Sequence, residues 1–178
     1  MLSMIKTQKL GQPIAQELLE KAIALAHQAH AQQVDKGGQP YISHPLRVME
    51  KMATAQEKIV AVLHDAVEDS DLTLEDLSSA GFPGEVVTAI AALTKNSGED
   101  YEVYLQRVMG NAIALKVKIA DMTDNMDMSR IANPTAKDWQ RLAKYQQILP
   151  RLAKKGAKPY APTDFIQAGN PHPEPVQE

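Results

Sequence analysis

Two stretches of the sequence concentrate side chains that bind metals and move protons. The first reads VAVLHDAVEDSD over residues 60–71. Read as one helix at about 100° per residue, it puts Ile59, Val62, Leu63, Ala66 and Val67 on one apolar face. His64, Asp65, Glu68 and Asp69 then share the other face, with His64 one turn from Glu68 and Asp65 one turn from Asp69. One imidazole and a set of carboxylates on a short arc suit a hard or borderline divalent metal. The same face would also serve an ordinary solvated helix, so the weight falls on what else the chain provides.

The second stretch reads NAIALKVKIADMTDNM over residues 111–126. On a helical wheel Leu115, Ile119, Met122 and Met126 lie to one side of Asp121, and Ile113, Val117 and Ala120 to the other. Asp121, with Asn125 one turn on, is thus predicted to be buried at least in part. A buried carboxylate needs an ion-pair partner or a metal, and Lys118 and Arg47 are the candidate partners. A third potential ligand, His44, precedes Pro45. Proline favours the first helical position, which predicts His44 at the N-cap, held extended by the proline that follows. Before it runs QQVDKGGQPYIS, where Gly37, Gly38 and Pro40 force a loop that could bring Lys36 and backbone N–H groups to a phosphate.

The remaining elements are those needed to position these residues. The 178-residue chain is long enough for one domain with a real core, and 44% hydrophobic and 23% charged residues are ordinary for a globular protein. A helix is predicted over 14–31, with Leu18, Ala22, Leu25, Ala26 and Ala29 as its stripe. His27 and His30 lie in it with no neighbouring carboxylate in sequence. Thr73 with Asp76, and Thr135 with Asp138, read as helix caps. Helices are expected over 85–93, 101–109 and from 135 on, the last with Trp139, Leu142, Ala143, Gln146 and Leu149 inward. No alternating strand pattern of useful length occurs, so the fold class is all-α. The expected organisation is a domain over 1–155 and an irregular, Pro-rich C-terminal tail over 156–178. A net charge of −3 without a basic block argues against a general DNA, RNA or membrane-surface binder, while leaving room for a local phosphate pocket. The chain has no cysteine, which excludes disulfides and thiolate ligands. No stretch approaches a membrane span or a signal core, and a cytoplasmic protein is the expectation.

In order along an all-helical chain, KGGQPYISHP, LHDAVEDS and KIADMTDNM resemble the HD-domain metal-dependent phosphohydrolases, and among them the hydrolase domains of RelA/SpoT-type proteins and the small alarmone hydrolases. The resemblance covers about residues 18–150. It implies an HD-type helical bundle with a metal site in its core, formed by His44, His64, Asp65 and Asp121, and manganese as the ion. The residue types alone also suit Zn, Fe, Co or Ni. It implies that Glu68 and Asp69 orient and activate the attacking water, that Asn125 lies near the ribose or the metal, and that Lys36 meets a phosphate. The implied reaction releases pyrophosphate from guanosine 3′,5′-bis(diphosphate) or its pentaphosphate counterpart, giving GDP or GTP. Hydrolysis of another nucleotide or phosphate ester, and a metal-containing nucleotide sensor without turnover, are the alternatives. Two departures bear on substrate choice. Asp35 stands where the family carries a guanine-stacking Arg, and Met122-Thr123-Asp124-Asn125-Met126-Asp127 replaces the usual Arg-Leu-His-Asn-Met-Arg.

Overall fold

A computed structural model describes residues 12–155; the Pro-rich tail over 156–178 lies outside the described residues. The observed elements are α1 (Gln12–Ala29), α2 (Ser43–Glu50), α3 (Ala55–Leu63), α4 (Ala66–Asp69), α5 (Leu74–Ser79), α6 (Gly84–Leu93), α7 (Tyr101–Met109), α8 (Ala112–Asn125), a 3₁₀ turn (Met128–Arg130) and α9 (Ala136–Lys154). Among the described residues there is no strand beyond an isolated bridge between Val34 and Pro40. None of the helices is long and apolar enough to cross a membrane.

The bundle is built around α3. Ile59, Val60, Ala61, Val62 and Leu63 are all fully buried, so the C-terminal half of this helix is enclosed on every side rather than on the one face predicted, as expected for a stretch apolar all round. It packs against α1, α2, α6 and α8. Ala22 and Ala26 of α1 are fully buried, and their small side chains allow the close approach of α1 to α3. Thr54 and Glu57 close a capping box at the start of α3. Glu57 also accepts a 2.6 Å bond from Lys116 Nζ, which ties the start of α3 to α8.

The structure departs from the predicted elements in three places. The stretch 60–71 is not one helix. α3 ends at Leu63 and α4 begins at Ala66. At the break His64 Nδ1 lies 2.7 Å from the Ala61 carbonyl, the acceptor that an unbroken helix would offer to the Asp65 N–H. Second, α2 begins at Ser43, so His44 sits inside its first turn rather than at the cap. Pro45 is tolerated there because first-turn N–H groups have no intrahelical partner. Third, α9 is rotated from its predicted phase. Its buried positions are Asp138, Ile148 and Leu152, with Tyr145 partly buried, while Trp139 is 53% exposed. The phase follows Asp138, whose carboxylate accepts bonds from Thr135 N (2.9 Å) and Oγ1 (2.6 Å) and is ion-paired with Lys36. The residue after it is turned out by the helical step.

Ile148→Ala is therefore expected to cost about 2–5 kcal/mol in urea-induced unfolding, whereas Trp139→Ala is expected to stay within about 0.5 kcal/mol. The reverse pattern would refute the observed phase of α9.

Candidate metal centre

Two helices and the break after α3 bring the predicted ligands together. His44 from α2, His64 from the break and Asp121 from α8 each offer one ligand atom, and these atoms all lie within 4.8 Å of one another. All three residues are buried. His44 Nε2 is 3.1 Å from Asp121 Oδ1, and His64 Nε2 is 3.6 Å from the same oxygen. Asp65, whose side chain is 23% exposed, points its Oδ2 to within 3.1 Å of His64 Nε2 and 3.8 Å of His44 Nε2. With Nδ1 occupied by the Ala61 carbonyl, His64 directs Nε2 at these carboxylates. That nitrogen is enclosed and has no hydrogen-bond partner among the described residues. A buried polar atom without a partner needs an explanation. Imidazole and carboxylate atoms converging on one point provide one, since together they fit a divalent cation.

Electrostatics explains how so many carboxylates are tolerated indoors. Burial works to raise the Asp121 pKa, but Lys118, with Nζ 2.8 Å from Oδ2, and the two imidazoles hold it well below the usual range. Asn125 Nδ2 donates a 2.6 Å bond to Asp121 Oδ1. Of the two predicted partners, Lys118 is therefore the one that pairs with Asp121. Arg47 instead binds Asp124. Burial likewise opposes ionisation of Asp65, and the His64 charge overrides it, bringing the pKa down to about 2. Burial lowers the pKa of His64, and the Asp65 charge and the Asp121 carboxylate outweigh it, holding it well above the ordinary value. The Tyr41 hydroxyl donates a 2.6 Å bond to Asp65 Oδ2. Burial and that carboxylate push the Tyr41 pKa up, so the phenol keeps its proton.

The centre opens into a cavity of about 560 Å³ whose walls carry Lys95, Lys118, Lys137, Arg141 and Lys144 beside Glu68. A smaller hollow of about 200 Å³ adjoins it, and Tyr41, Asn125 and Arg141 line both. Glu68 faces the larger cavity, its Oε2 accepting a 3.0 Å bond from the Lys95 N–H. Asp69 does not accompany it. The next helical step turns Asp69 toward a separate hollow lined by Leu25, Ala29 and Asp76. Partial burial and the charges of Asp65 and Glu68 raise its pKa. Lys36 reaches the smaller hollow but is paired with Asp138.

Several residues around the centre were not singled out from sequence. Lys137, Arg141 and Lys144 recur at helical spacing, a cationic stripe that was legible in the chain. Tyr41 and Asp124 gave no such signal, because their partners are 24 and 80 residues away in sequence. The glycine loop is held by shape. A Cβ on Gly37 would stand 2.5 Å from the Arg130 carbonyl oxygen. Gly37→Ala is expected to destabilise the chain by about 1–3 kcal/mol in chemical denaturation. Gly84→Ala, in the first turn of α6 with open space around it, should be neutral or mildly stabilising. Equal effects would refute the close packing of the loop.

No family model matches the chain. A probable GTP pyrophosphokinase of Mycobacterium leprae is 30% identical over 78% of this chain and 19% of that protein. A guanosine-3′,5′-bis(diphosphate) 3′-pyrophosphohydrolase of Aquifex aeolicus is 31% identical over 62% of this chain and 17% of that protein. The chain thus spans about a fifth of the length of the curated relatives it matches. Among solved structures, one described as a metazoan ortholog of SpoT that hydrolyzes ppGpp superposes with a TM-score of 0.62 at 21% identity, covering 84% of this chain and 88% of that one. Its backbone shares the helical arrangement seen here. Bundle and relatives together support a RelA/SpoT-type HD domain.

Proposed function

We propose that the chain hydrolyses guanosine 3′,5′-bis(diphosphate) and its pentaphosphate counterpart, releasing pyrophosphate and leaving GDP or GTP. The observation that carries this reading is the convergence of His44, His64 and Asp121, the last two lining a cavity walled by Lys and Arg side chains. The matched relatives that are pyrophosphohydrolases of this nucleotide support it. We assign the ion to His44, His64, Asp65 and Asp121, with Mn2+ as the native metal. When bound, a divalent cation supplies Lewis acidity toward a phosphoryl oxygen and makes water easier to deprotonate. The reading sets the domain in the cytoplasm, where nucleotide pools lie.

The chain's own residues account for the rest of the chemistry. Lys95, Lys137, Arg141 and Lys144 offset the phosphate charge that grows in the transition state. Glu68, in the same cavity, accepts the proton of the attacking water. The water oxygen bonds to the phosphorus on the ribose 3′ oxygen and departs within pyrophosphate. The 3′ oxygen leaves and takes a proton. Asp69 acts from outside this cavity, through its charge on Asp65 and Glu68. The smaller hollow, with Lys36 and Asn125 in its wall, takes the nucleoside end. Asp35 is occupied there as a turn former, its Oδ1 accepting from Gly37 N at 2.8 Å and Gln39 N at 2.9 Å.

Incubation of the Mn2+-loaded protein with the tetraphosphate nucleotide should yield GDP and pyrophosphate in equal amounts by anion-exchange chromatography. Asp65→Ala is expected to lose metal and turnover together. Glu68→Gln should retain the metal while turnover falls about 10²–10⁴-fold. Bound metal without any pyrophosphate release would overturn the proposal.

A further inference from the structure

His44 has a second partner that the reading above does not use. Its Nδ1 lies 2.8 Å from Asp124 Oδ2 across the packed faces of α2 and α8. The Asp124 side chain is only 4% exposed, and it is heavily committed. Arg47 donates from Nε at 3.0 Å to Oδ1 and from Nη2 at 2.9 Å to Oδ2. Arg130 Nη2 adds a 3.2 Å contact to Oδ2 and bonds the Asp124 backbone carbonyl. Lys51 Nζ stands 3.6 Å from Oδ1. Two guanidiniums and an ammonium hold the carboxylate ionised, and an ionised carboxylate can only accept. The proton on the shared His44–Asp124 contact therefore resides on Nδ1. That leaves Nε2, on the opposite edge of the ring, turned toward Asp121 and Asp65.

We propose that Asp124 is a positioning residue for the metal centre. It fixes the His44 ring and the tautomer that presents Nε2 as a lone pair, and Arg47 and Arg130 fix Asp124 in turn. A carboxylate behind a ligating imidazole both orients the ring and makes it a better donor. The spacing makes this possible. His44 and Arg47 lie three apart on α2, Asp121 and Asp124 three apart on α8, and the two pairs face each other. Asp121 meets the metal-facing edge of the ring while Asp124 meets its back. His64 is oriented differently, by the Ala61 carbonyl of the preceding helix α3, so the two imidazoles are set by independent devices.

This inference rests on the metal assignment of the preceding subsection, and its test separates the two. Mn2+ binding to the full chain is measured by electron paramagnetic resonance titration, with thermal melting of the metal-free protein alongside. Asp124→Asn keeps the shape of the side chain but lets its amide face His44 and weakens the hold of Arg47. It is expected to bind Mn2+ about 10–100-fold more weakly, with a melting temperature lowered by the weakened Arg47 and Arg130 contacts but with cooperative unfolding retained. A folded Asp124→Asn protein with Mn2+ affinity within twofold of the unaltered chain would overturn the role of Asp124 while leaving the metal assignment intact. If the unaltered chain binds no Mn2+, both fall. If Asp124→Asn does not fold, imidazole ¹⁵N shifts of the unaltered, Zn2+-loaded chain decide. A protonated Nδ1 on His44 with an unprotonated Nε2 supports the proposal, and the opposite tautomer overturns it.

Discussion

The architecture depends on keeping one ionised carboxylate, Asp121, inside a helical bundle. Its oxygens are shared among Lys118, Asn125 and His44. Each partner comes at a fixed helical step or from a facing helix, so moving α8 by even one residue would leave a charge buried without compensation. Such a loss costs more than most single apolar contacts contribute. The apolar residues around it, Val117, Ala120 and Met122, are buried too, so packing and charge pairing hold α8 in the same register. The polar centre and the core are one construction.

α3 supplies the other half. Its enclosed apolar run leaves no solvated face on which polar residues could sit, so functional groups can only appear where the helix stops. The break at His64 and Asp65 provides that place. In one continuous helix, adjacent residues would diverge by about 100°. At the break both side chains address the same point, with Nε2 and Oδ2 3.1 Å apart. The Ala61 carbonyl is not left unsatisfied by the interruption, because the His64 ring takes the place of the missing backbone donor. Termination of the helix and orientation of the imidazole are thus achieved by one contact.

Charge is distributed in two layers around the centre. The inner layer pairs acids with bases closely enough that most of the field cancels. The outer layer, drawn from α9 and the segment after α6, presents Lys95, Lys137, Arg141 and Lys144 to the cavity. Lys144 lies 3.3 Å from the centroid of the Tyr101 ring, a cation–π contact that holds its flexible stem against the wall. A protein of net charge −3 can therefore carry a locally basic hollow. Whole-chain charge speaks against broad polyanion binding, and it does not describe a single cavity.

Much of this was readable in the chain. The apolar periodicities of 85–93, 101–109 and 111–126, the capping boxes at Thr73 and Thr135, and the lack of alternating patterns specify an all-α fold. These are local effects, carried by residues within a turn of one another. The burial of Asp121 followed from its apolar flanks, and its need for a basic partner with it, while the choice of Lys118 over Arg47 came from the structure. What the tertiary structure alone decided involves residues far apart in sequence. Lys36 is paired with Asp138, 102 positions away, and His44 with Asp124, 80 away. Enclosure of residues 59–63 on all sides, the phase of α9, and the separation of Glu68 from Asp69 depend on which neighbour covers which face. A helical wheel orders residues around one axis but is silent on what stands opposite. A hydrogen bond between two helices exists only once packing has brought their faces together.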